Sequence, residues 1–103
     1  MTPTVVHSFA LIKDGHDVAA IAAARVLATS TIYGHLAVAI AAGALTLKDV
    51  LPEVDEVELQ EMRDALRLAQ IEAPDAILMM AAEHIGETAN VPWLRCVLSE
   101  MTT

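Results

Sequence analysis

Aromatic residues are scarce in this chain: 3% of its 103 positions, with one Phe, one Tyr and one Trp. Hydrophobic residues nevertheless make up 55%, so Ala, Leu, Val and Ile must build the core, the profile of packed helices rather than of a β-sandwich. Cysteine is almost absent too. The lone Cys96 excludes an internal disulfide and any Cys-rich zinc site, and it fits a reducing compartment. No apolar run reaches the roughly 18 residues a membrane span needs, because Arg25 and His35 interrupt the Ala-rich stretch. The N-terminus lacks the basic start of a secretory signal. These absences predict a single cytoplasmic, all-α domain with no membrane partner.

Motifs for chemistry are missing as well. There is no Walker loop, no GxGxxG and no GxSxG. None of His7, His16, His35 and His84 has a His or Cys at i+3 or i+4, and Glu83-His84 belongs to no HExxH frame. Glu56, Glu58 and Glu61 read as a solvated helix face, and Met62, Met79 and Met80 as core filler. No catalytic residue, cofactor or metal is therefore expected.

Basic residues are few, and the acids are unevenly spread. Up to Leu51, Lys13, Arg25 and Lys48 balance Asp14, Asp17 and Asp49. Beyond it, Arg63, Arg67 and Arg95 face the remaining eleven of fourteen acidic side chains, so the whole net charge of −8 lies in the second half. An acidic surface repels phosphate. Any DNA contact should come from the first half.

What is present centres on Asp17 to Ala42. Val18, Ile21 and Ala22 recur at helical spacing, and the segment stays helix-friendly up to Arg25. Thr29-Ser30-Thr31 suits a hydroxyl cap for a second helix, along which Ile32, Leu36, Ala39 and Ile40 form a buried stripe. Two short helices over a tight turn, crossing at the small Ala22, make a helix-turn-helix.

An opening helix runs from Thr2 or Thr4 to Lys13, with Gly15 as its stop and Phe9 filling the centre of the first half. Asp17 caps the second helix. Residues 44–51 favour a single helical turn capped by Thr46 over a vestigial strand at Leu45-Thr46-Leu47. Pro52 marks a hinge between the halves, since the residue before proline resists helix. Asp55 opens an acidic helix; Ala73-Pro74-Asp75 opens another with Pro74 in its first turn, stopped at Gly86; Val91-Pro92-Trp93 opens the last. About six helices result, residues 1–51 forming the helix-turn-helix half and 52–103 an acidic helical half.

The groove-facing side of the second helix of the motif should carry Ser30, Tyr33, Gly34, Ala37 and Ala41. It holds no Arg, Lys, Asn or Gln for bidentate base contacts. Ser30 and Tyr33 can donate to phosphates, with Arg25, Lys13 and Lys48 near a backbone. Fewer than four phosphate contacts give weak, salt-sensitive binding.

The frame from Val5 to Val50 resembles the helix-turn-helix domain near the C-terminus of many bacterial RecQ-type DNA helicases. Gly15, Ile21-Ala22, Arg25, Ser30-Thr31-Ile32 and His35-Leu36 carry the likeness in order. The acidic helix after Pro52 and the closing WLRCVLSE extend it over nearly the whole chain. The resemblance implies an accessory module of an ATP-dependent helicase acting in DNA repair or recombination, its ATPase core elsewhere. Weak DNA contact is then expected from Arg25, Ser30, Thr31, Tyr33 and His35, or docking against a partner protein or the rest of the helicase, by a monomer. One position departs from the family. The turn usually takes glycine where this chain has Val26, and a β-branched residue at positive φ costs at least ~1 kcal/mol. A different turn, or a helical Val26 with the bend moved, is expected. A free-standing dimeric transcription regulator and an acidic protein-interaction domain are the alternatives.

Overall fold

A computed structural model describes residues 1–102. It is all-α: α1 (Pro3–Lys13), α2 (Val18–Arg25), α3 (Thr29–Ala41), α4 (Leu47–Val50), α5 (Glu56–Glu72), α6 (Ile77–Ile85) and α7 (Val91–Met101). The single helical turn favoured over a strand at residues 44–51 is α4. Its first turn is held by a reciprocal cap: the Asp49 N–H donates to Thr46 Oγ1 at 3.3 Å, and the Thr46 N–H donates to Asp49 Oδ2 at 3.0 Å. That backbone donor holds the Asp49 carboxyl below its ordinary range. Leu45, Leu47, Val50 and Leu51 are buried around it, which favours the turn over an exposed strand.

Asp17 and Asp55 cap their helices as expected, accepting from the Ala20 and Glu58 N–H groups at 2.7 and 2.8 Å. Two other ends differ from expectation. At α3 the N-cap is Ala28, with no side-chain bond, so the Thr29-Ser30-Thr31 hydroxyls lie inside the first turn rather than capping it. Residues 73–76 form a turn closed by the Ala76 N–H on the Ala73 carbonyl, so α6 starts at Ile77 and Pro74 precedes it. α7 begins at Val91 as expected, capped by Asn90, whose Oδ1 accepts from the Trp93 N–H at 3.2 Å.

Burial assembles the helices. Ile21, Ile32, Leu36, Leu51, Leu66, Leu94 and Val97 are the largest fully buried apolar side chains, and one apolar cluster runs through both halves. Each such residue contributes about 1.5–3 kcal/mol over an exposed one. α3 packs most extensively on α7, and α5 on α6. Leu51 and Val54 are buried on either side of exposed Pro52, so the connection there is pinned to the core at both ends. Phe9 does not occupy the centre expected of it. It is only half-buried, and Ser8 is the side chain of α1 that is wholly enclosed.

Candidate nucleic-acid interface

α2 and α3 meet at a 114° bend across a three-residue connection. That is the angle range of a helix-turn-helix corner. Ala22 is buried at this corner, and its small side chain lets α3 come close.

The turn resolves the question posed by Val26. Val26 itself adopts the left-handed conformation, φ 56° and ψ 47°. The Leu27 N–H donates to the Ala22 carbonyl at 2.9 Å, and the Val26 N–H donates to the Ala23 carbonyl at 3.3 Å. This is a Schellman closure. α1 and α3 end the same way, with Gly15 and Gly43 at the corresponding positive-φ position. At the α2–α3 corner valine stands where the other two ends have glycine. The expectation of a helical Val26 with the bend moved is thus corrected: the valine itself takes the left-handed conformation and bears the strain while 88% exposed.

The five candidate contact residues do not lie together. Ser30 and Thr31 are exposed on the first turn of α3. With no side chain capping this end, the N–H groups of Thr29 and Ser30 have no partner among the described residues and sit at the positive end of the helix dipole. Arg25 instead turns back toward α1. Its Nη1 donates to the Thr4 carbonyl at 2.8 Å and to Ser8 Oγ at 2.7 Å, and its Nη2 donates to Thr4 Oγ1 at 2.9 Å. His35 is half-buried, its Nδ1 lying 2.9 Å from Ser8 Oγ. The Ser8 oxygen accepts from Arg25, so its own proton is available to His35 Nδ1. That arrangement requires the neutral imidazole. Burial first, then the Arg25 charge, holds His35 below its usual range, in agreement. Tyr33 is half-buried, lining a groove with Ile12, His16 and Val50 on the other side of the corner.

The expected groove face is narrower than the helical wheel implies. Ala37 is 3% exposed, because α7 packs along this side of α3. Cys96 lies in the contact, its thiol 3.5 Å from the Tyr33 carbonyl and pushed up to about 12 by burial. What remains open on α3 is Thr29, Ser30, Thr31, Val38 and Ala41.

One cation near this strip escaped the sequence-level view. Arg95 of α7 is exposed, makes no ion pair among the described residues, and lies over α3: a methyl group added to Gly34 would sit 3.4 Å from its Nη1. Its exposure follows from the helical phase of Leu94 and Val97, but the surface it reaches does not. Arg63 pairs with Glu56 and Glu100, and Arg67 with Asp64, at 2.9 to 3.3 Å. Among the described residues no group of three or more His, Cys, Asp or Glu side chains is placed to hold a metal ion, and no single helix is long and apolar enough to cross a membrane.

Neither a search of curated proteins nor one of solved structures gives a significant match. A family model does, over residues 4–98, which takes in the α2–α3 corner together with α4 to α6 and most of α7. This chain belongs to the helix-turn-helix domain family.

Proposed function

We propose that the chain is a non-catalytic accessory domain of a RecQ-type DNA helicase, cytoplasmic and monomeric, that docks weakly on the sugar-phosphate backbone without reading sequence. Membership of a helix-turn-helix family supports contact with DNA. The resemblance in the order Gly15, Ile21-Ala22, Arg25, Ser30-Thr31-Ile32 and His35-Leu36 supports the helicase context. The observation that carries the reading is the open strip of α3. Its N-terminal turn presents hydroxyls, and N–H groups without a partner among the described residues, suited to phosphate, and no residue on it can make a bidentate base contact. Arg95 supplies charge at its edge. Arg25 and His35 support the corner from within in this account, and Ser30 and Thr31 touch the backbone.

Titration of the labelled protein with a forked DNA duplex at low salt tests this by NMR. Shifts centred on Thr29–Thr31 and Arg95, insensitive to the duplex sequence, are expected. Unmoved resonances from Thr29 to Val38 would remove DNA from the account. A dimer by gel filtration with light scattering, binding a palindrome preferentially, would favour a transcription regulator.

A further inference from the structure

α5 buries Met62, Ala65, Leu66 and Ala69 against the rest of the protein. Its opposite side carries a second pattern. Val57, Glu61, Asp64, Leu68 and Ile71 follow one another at spacings of four, three, four and three residues, which aligns them along one line of an α-helix. All five are exposed, the three apolar ones by 68%, 49% and 81% for Val57, Leu68 and Ile71. Leu68 and Ile71 stand less than one turn apart and Val57 three turns before Leu68, so exposed apolar side chains lie at both ends of the line with two carboxylates between them.

We propose that this outer seam of α5 docks a basic amphipathic helix of a protein partner. The two carboxylates at its centre choose the occupant. Gln60 and Arg67 donate to Asp64 from the flanks at 2.9 and 3.3 Å, while Glu61 has no ion pair among the described residues. Glu58 and Glu61 also line a groove of about 270 Å³ beside the seam, with Ile85 and Trp93 as its apolar walls. A partner helix therefore needs apolar side chains opposite Val57, Leu68 and Ile71, and Lys or Arg opposite Glu61 and Asp64. Charge at the centre of a helix seam fixes partner and register. A second copy of this chain is disfavoured. Paired antiparallel, Asp64 meets Asp64 and Glu61 meets Leu68; paired parallel, each acid meets itself. Nucleic acid is repelled by the same carboxylates. This surface is independent of the α3 strip, and either can fail without the other.

The probe is a synthetic helical peptide spanning the seam, about 15 residues at 1.5 Å each, with Leu and Lys placed to match it. A control peptide has the same composition in scrambled order. NMR titration should move Val57, Glu61, Asp64, Leu68 and Ile71 with the matched peptide, which should bind at least roughly tenfold more tightly than the scrambled one. The double charge reversal E61K/D64K and the single variant Ile71→Ser should each lose that advantage; both change exposed side chains, and circular dichroism reports whether they stay folded. If the double variant unfolds, Ile71→Ser decides alone. Equal affinity for the scrambled peptide, no binding, shifts elsewhere, or self-association abolished by Ile71→Glu would each overturn the proposal.

Discussion

Arg25 donates a 2.7 Å hydrogen bond to Ser8, and that same hydroxyl lies 2.9 Å from His35. One enclosed oxygen of α1 thus ties together the end of α2 and the middle of α3. The helix-turn-helix corner is held by a polar pin as well as by apolar packing.

Ser8→Ala should therefore destabilise the fold although it removes one oxygen. The Arg25 Nη1 and His35 Nδ1 would lose their shared partner in a place with little water, at a cost of about 1–3 kcal/mol. Urea unfolding measures it. A change under about 0.5 kcal/mol, the level of an ordinary surface substitution, would show that the pin carries no weight.

Val26→Gly should stabilise. A left-handed L-residue costs about 1–2 kcal/mol, and glycine recovers most of this less its greater unfolded entropy. A net gain of about 0.5–1 kcal/mol is expected, raising Tm by a few degrees in a domain this small. Scanning calorimetry on the two proteins decides, and a lower Tm for the glycine variant would mean that Val26 makes a stabilising contact despite its exposure.

His35 sets a pH window. Its folded-state pKa is depressed from the ordinary 6.5 by burial and then by Arg25. The fold favours the neutral ring, so the unfolded chain binds the proton more readily and stability rises with pH there. The contribution is complete above about 6.5 and is lost as pH falls through the lower folded-state value. His35→Gln cannot titrate. The wild-type unfolding free energy should fall faster than that of the variant on acidification from about pH 8 to about pH 5, and parallel curves would contradict the assignment.

Cys96 should be inert in the native protein. Its thiol is fully buried and is pushed up to about 12, leaving almost no thiolate near neutral pH. Iodoacetamide should label it only after denaturant is added. Rapid labelling of the folded chain would mean that α7 separates readily from α3.

Arg95→Ala should weaken the proposed DNA contact equally for all sequences and lower the dependence of log K on log salt by about 1. Folding should be little affected, since Arg95 makes no ion pair among the described residues. An unchanged salt slope would remove Arg95 from the interface.

Much of this architecture is local and so legible. Asp17 and Asp55 are short acceptors placed before helical runs, and Gly15 and Gly43 permit the left-handed stop. Periodicity marks Ile32, Leu36 and Ile40 as buried whatever they pack against. Other features carry no such signal. A valine at positive φ violates the preference by which turns are recognised, so the left-handed turn was hidden by an unfavourable residue. Ala28 offers no hydroxyl, so the true start of α3 was masked by the three better capping residues just after it.

The candidate interface divides along the same line. The sequence alone determined that the protein is helical, that its acids crowd the second half, and that α3 lacks base-reading side chains, because composition and period act over one or two turns. Only the tertiary structure decided that α7 covers Ala37, that Arg25 and His35 turn inward to Ser8, and that Arg95 reaches α3 from a distance of sixty-one residues from Gly34 in the chain. Those outcomes depend on which helix faces which, and burial sets that by excluding water from all the apolar stripes at once.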